Sequence, residues 1–129
     1  MIEFVKKFCL SIITLVVILY LSFMNTEQLP PQPVVNFDKL LHSLMFFGLS
    51  SVFFFDLTSR FRVLESKKKI FYYVLLFPII IGGFIEIIQE NFTETRSGDW
   101  FDFLFNVLGS SFAYAISLII SSFALIGRK

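Results

Sequence analysis

Four apolar stretches, each near the length of a bilayer crossing, take up about two thirds of the chain: roughly Phe4–Met24, Leu40–Leu57, Ile70–Gln89 and Trp100–Ile126. A helix needs about 20 mostly apolar residues to cross the hydrocarbon core. The expectation is an all-α integral membrane protein, a bundle of four transmembrane helices forming one domain over residues 1–129. At 56% hydrophobic residues with 19 Phe, the chain is too apolar to present an ordinary polar surface to water. Only short connections remain between the spans, so any chemistry must sit on the helices or their loops. A formal net charge of +1 suggests no nucleic-acid partner.

Basic residues set the expected orientation. Nine of the eleven Lys and Arg fall in three groups: Lys6 and Lys7; Arg60, Arg62, Lys67, Lys68 and Lys69; and Arg128 and Lys129. Four spans put all three groups on one side, and the positive-inside rule makes that side the cytoplasm, with both termini. Only Lys39 and Arg96 fall opposite. The single cysteine, Cys9, excludes an internal disulfide and reads as a small packing or lipid-facing residue. The start resembles a signal peptide, but Leu21–Asn25 lacks the small-residue cleavage pattern, so a retained helix is expected.

Between spans one and two, Pro30, Pro31 and Pro33 favour an extended spacer. The segment Thr58–Lys69 is short and basic, an anchor near anionic lipid. In the third span Pro78 frees the carbonyl of Val74, which predicts a kink. Gly82 and Gly83 follow, and either a hinge or a static bend with close helix contact would use them.

The polar residues of the spans share faces. Asp38 and His42 are four apart, Glu86, Gln89 and Glu90 lie within about one turn, and Asp99, Asp102, Asn106, Ser110, Ala113 and Ser117 occupy an arc of about 60°. The other faces of the last helix carry Phe101, Phe103, Leu104, Phe105, Val107 and Leu108. The charged and amide groups come at the end of the bundle expected to face outward, and the stripe of the last helix becomes merely small with depth. Glu86 lies about 24 Å up from Ile70, still within the apolar span, where an ionisable group normally faces the interior and pairs. Arg96 could join Glu86, Asp99 or Asp102, or await an anionic ligand. Simpler roles stand beside these: Asp38 and Asp99 as N-caps, Asp102 in a favourable first-turn position, Lys39 as a snorkelling anchor, His42 as a hydrogen-bonded packing residue, and Glu86, Gln89 and Asn106 as an interhelical network.

Two blocks resemble the VanZ-like family: Asp38-Lys39-Leu40-Leu41-His42, and Gly83-Phe84-Ile85-Glu86-Ile87-Ile88-Gln89 followed by Arg96, Asp99, Asp102, Asn106 and Gly109. They follow the family's D-K-x-x-H and G-x-x-E-x-x-Q…R…D…N-x-x-G pattern over about residues 36 to 112. Family members often carry Tyr four residues after the histidine, and here that place is Phe46, without the hydroxyl. The resemblance implies a multi-pass protein of the bacterial inner (cytoplasmic) membrane and a link to resistance to the glycopeptide teicoplanin. It supplies no reaction.

Two function classes follow. In the first, an outward-facing pocket of Asp38, His42, Glu86, Gln89, Arg96, Asp99, Asp102 and Asn106 binds or moves an anionic lipid or lipid-linked envelope precursor. In the second, an intramembrane enzyme acts on such a substrate, with His42 as acid or base, Glu86 or Asp102 as its partner, and room for a metal held by His42 and carboxylates. With one histidine and no H-E-x-x-H, metal spacing is not compelling, and no cofactor is expected. The polar end could also dock a membrane-protein partner or a second copy in a homo-oligomer.

Overall fold

A computed structural model describes residues 1–24, 36–59, 66–93 and 98–126. Every regular element in them is helical: α1 (Ile2–Lys7), α2 (Cys9–Phe23), α3 (Phe37–Ser59), α4 (Lys67–Ile70), a π-helical segment (Phe71–Leu76), α5 (Phe77–Phe92) and α6 (Trp100–Ile126). Three rods are long and apolar enough to cross a membrane: Phe37–Thr58, Lys67–Phe92 and Trp100–Ala124. Their outward faces carry Phe55, Phe84, Phe101, Phe112 and Phe123, all more than half exposed, as lipid rather than water would have it. The proline-rich spacer and most of the middle basic loop lie outside the described residues.

The first apolar run departs from a single helix over Phe4–Met24. It breaks at Phe8, whose backbone leaves the helical region (φ −107, ψ 25), and α2 restarts at Cys9 with 15 residues. The ring of Phe8 accounts for the break. It is buried and stacks on Tyr73 at 5.5 Å, so packing outweighs continuation of the helix. Restarting a helix leaves first-turn N–H groups without partners, and Asp56 of α3 takes one of them: its Oδ2 accepts from Ser11 N at 2.9 Å and from Ser11 Oγ at 2.8 Å. At the other end of α2, Gln89 Nε2 donates to the orphan carbonyl of Ser22 at 2.7 Å. Neighbouring helices thus hold both ends of the short α2.

In the third rod Pro78 has its expected effect in a particular form. The helix widens to i→i+5 bonding over Phe71–Leu76, with Phe77 N–H reaching Tyr72 O, before α-helix resumes. A proline cannot donate to the preceding turn, and a π turn re-pairs the neighbouring groups.

These contacts give an up-and-down arrangement. The start of α2 meets the end of α3 through Ser11 and Asp56, and the end of α2 meets the end of α5 through Ser22 and Gln89. The start of α3 lies beside the start of α6, so those two run parallel. Lys6, Lys7 and Lys67–Lys69 therefore share one end of the bundle, and Asp38, His42, Glu86 and Asp102 the other. The apolar core of Phe46, Leu49, Phe53, Leu57, Ile70, Val74 and Ile85 lies between them.

The α3–α6 pairing is the most extensive in the bundle. A Cβ at Gly109 would sit 2.1 Å from the carbonyl oxygen of Ser43, so only glycine lets the two backbones come this close. We expect Gly109→Ala to force α3 and α6 apart and cost about 1–3 kcal/mol, as overpacking does, seen as a lower Tm in detergent. Gly48→Ala, where nothing lies within 4 Å, should leave Tm unchanged.

Candidate functional site

At the polar end, α3 and α6 bring an imidazole, an amide and carboxylates into one buried cluster. His42 is 2% exposed and Asn106 fully buried. His42 Nδ1 lies 3.1 Å from Asn106 Oδ1. Since that oxygen can only accept, Nδ1 is the ring nitrogen that donates in this bond. On the Nε2 side stands Asp102, with Oδ2 at 3.7 Å; beside Nδ1 stands Glu86, with Oε1 at 3.8 Å. Both are charge-pair distances, too long for hydrogen bonds.

The chain reaches α6 through Gly98, which passes so close to α5 that a Cβ there would lie 2.5 Å from Glu86 O and 2.9 Å from the Glu90 Cβ. This close pass delivers Asp99 N–H to Glu86 Oε2 at 3.1 Å. Asp99 then caps α6, its Oδ1 accepting from Phe101 N–H at 2.9 Å, while Lys39 Nζ stands 3.8 Å from its Oδ2. Asp102 takes a first-turn position in α6, where the helix dipole favours a negative charge. Asp38 is not an N-cap: α3 begins at Phe37, so Asp38 is already helical and turns toward the cluster with His42, four residues on. Ligand atoms of Asp38, His42 and Asp102 all lie within 4.8 Å of one another, so among the described residues these three could hold a metal ion.

Several buried polar atoms have no hydrogen-bond partner among the described residues: Glu86 Oε1, Asp102 Oδ1, Asn106 Nδ2, Ser50 Oγ and Ser110 Oγ. Native interiors hold few such groups. Beside the cluster, between α5 and α6, a cleft of about 130 Å³ is lined by Gly83, Glu86, Ile87, Glu90, Gly98, Asp99, Trp100 and Phe103. Glu86 belongs to both: one oxygen faces His42 and the side chain walls the cleft. The lining residues include the acids Glu86, Glu90 and Asp99, but the surface the cleft presents is mostly apolar, and Trp100 is largely exposed.

The structure thus gathers Asp38, His42, Glu86, Asp99, Asp102 and Asn106. Gln89 is buried but turned to Ser22, and Arg96 lies outside the described residues. Phe46, in the tyrosine's place of the family pattern, is fully buried against Gly82 and belongs to the core. Sequence reasoning misses Asp56, a buried carboxylate at the opposite end. A charged residue inside an apolar span was the available signal.

Fold and site define a membrane-type helical bundle with a buried histidine, asparagine and carboxylate cluster at one end. No protein-family model matches the chain, and no solved structure matches it. An uncharacterized protein of the fission yeast Schizosaccharomyces pombe is similar, 29% identical over 116 residues that cover 88% of this chain and 64% of that protein. The chain thus spans less than two thirds of that relative's length.

The His42–Asn106 bond yields a direct test. Asn106→Leu strands a buried N–H and should destabilise by about 1–3 kcal/mol, read by reversible unfolding in detergent. Adding His42→Leu should recover part of that loss, a coupling visible in a double-mutant cycle; strictly additive costs would mean that the two side chains do not interact.

Proposed function

We propose that this is a four-span membrane protein with both ends of the chain in the cytoplasm, and that its polar end, facing outward, binds or moves an amphipathic ligand with an anionic headgroup. The observation that carries the reading is the pairing of a buried His42–Asn106–carboxylate cluster with a mostly apolar cleft that shares Glu86 with it. A cleft of that make-up suits a molecule with a polar head and an apolar tail. Ile87, Trp100 and Phe103 would take the tail, and groups near Glu86 and Asp99 the head.

The sign of the ligand depends on more than this cluster. Among the described residues the ion pairs of Glu86, Asp99 and Asp102 are with His42 and Lys39, so an anion needs further positive charge. On this reading Arg96 supplies it, as the arginine is suited to a bidentate grip on phosphate or carboxylate. The VanZ-like resemblance makes the membrane a bacterial inner membrane, the ligand a lipid or lipid-linked envelope precursor and the consequence a contribution to teicoplanin resistance. The fission-yeast relative favours a headgroup common to many membranes over one confined to bacterial walls.

A second reading is favoured by His42 Nε2 facing Asp102. An imidazole held by Asn106 between two carboxylates can pass a proton, and so could serve an enzyme acting on the same lipid class, with His42, Glu86 and Asp102 as its catalytic residues. Mass analysis of incubated lipids separates the two, since a binder returns them unchanged.

Native mass spectrometry of the protein in nanodiscs should show phosphatidylglycerol retained over phosphatidylcholine. Arg96→Ala and Trp100→Ala should weaken retention at least about tenfold, the loss of roughly 1.4 kcal/mol, and Lys68→Ala should not. Equal retention of both lipids, or unchanged retention in Arg96→Ala, would count against the reading. For topology, in a Cys9→Ser background an impermeant maleimide should label Glu90→Cys in intact cells and Lys68→Cys only after permeabilisation. Labelling of both from outside would overturn the four-span assignment.

A further inference from the structure

We infer that Asp38, His42 and Asp102 form a binding site for one divalent metal ion of the zinc or manganese type. The i, i+4 spacing of Asp38 and His42 sets both on one face of α3, and the parallel, glycine-tight crossing brings Asp102 of α6 against them, with all three ligand atoms within 4.8 Å of one another. The 3.7 Å between His42 Nε2 and Asp102 Oδ2 is a ligand-to-ligand distance. An ion about 2.1 Å from these two atoms would see them at roughly 120°, within the range of tetrahedral and five-coordinate sites, and the Asp38 carboxylate would close in to reach it.

The imidazole is prepared for this role. A metal-bound histidine generally donates its second ring N–H to a carbonyl or carboxylate, which fixes the tautomer and aims the other nitrogen. Asn106 Oδ1 accepts that N–H at 3.1 Å and leaves Nε2 free on the side of Asp102.

A second observation is independent of the three ligands. The Glu86 side chain is only 8% exposed, and its Oε1, with no hydrogen-bond partner among the described residues, points at the same imidazole from 3.8 Å. Buried carboxylates cost a great deal without compensating charge. Of the acids here Glu86 and Asp102 are the buried two, and among the described residues each has its ion pair with His42. A divalent ion held by His42 Nε2 and Asp102 places positive charge beside both. One nitrogen and two carboxylate donors suit zinc or manganese, whereas calcium takes six to eight oxygens. The site is separate from the lipid reading, for the ion alone tests it.

The experiment uses the whole chain in mild detergent, stripped with chelator and titrated with Zn²⁺ alone, with bound metal and thermal unfolding as readouts. One ion per chain and a raised Tm are expected. Asp38→Asn and His42→Gln should weaken binding at least about 100-fold, and Asn106→Leu, which leaves all three ligands in place, by about 10–100-fold. Asp56→Asn, at the far end, should bind as the wild type does. Circular dichroism identifies variants that stay folded, and Asp38→Asn, in the partly exposed first turn of α3, provides the test if the buried variants unfold. Absence of a stoichiometric ion in the wild type, or wild-type affinity in folded Asp38→Asn or His42→Gln, would overturn the inference.

Discussion

The near-contact of two backbones at Gly109 and Ser43 governs the polar end of this protein. Helices separated by ordinary side chains stand 8–10 Å apart. Here α3 and α6 come closer, and because they run parallel, equivalent turns lie side by side. Lys39 then falls level with Asp99, and His42 with Asp102 and Asn106. The smooth seam below, from Ser110 through Ala113 to Ser117, continues the close approach into the apolar core. A bulkier residue at Gly109 would act on every distance in the cluster without touching any member of it.

Placing carboxylates inside an apolar bundle raises the same electrostatic problem at both ends, and the chain answers it in the same way. Asp56 sits at the start of α2 and accepts from Ser11; Glu86 sits at the start of α6 and accepts from Asp99. Helix N-termini offer free N–H groups and a partial positive charge, so each acid is stabilised by a neighbouring helix. The two differ in what remains. Asp56 has the hydroxyl of Ser11 as well, and among the described residues the Oε1 of Glu86 has only the distant imidazole. A settled structural acid and a chemically available one are thereby distinguished.

Much of this was legible in the residues. The small and polar stripe of α6 announces its inward face, and Asp102, Asn106 and Ser110 are indeed buried while Phe101, Leu104 and Leu108 face outward. Asp38 with His42, and Glu86 in an apolar run, point to one end because spacing along a helix fixes direction. Other features depend on contacts that spacing does not encode. Phe8 breaks the first helix with no glycine or proline there, because its ring finds Tyr73 in another element. Gln89 shares a helix with Glu86 yet serves the end of α2, a choice made by the position of Ser22. Asp38 looks like a cap until α3 proves to begin one residue before it. Pro78 signals a disturbance, but only packing decides that it becomes a widened turn.

That widened turn has a geometric consequence for the far end of its rod. The buried positions Ile70, Val74 and Pro78 recur every four residues, a spacing that drifts around an ordinary helix of 3.6 residues per turn. The looser winding between Phe71 and Leu76 absorbs the drift and holds those residues in one line. It also sets the azimuth at which Gly82 and Glu86 emerge. Loss of one residue from that segment would swing everything beyond it by about 100°, turning the glutamate toward lipid while leaving its helix intact.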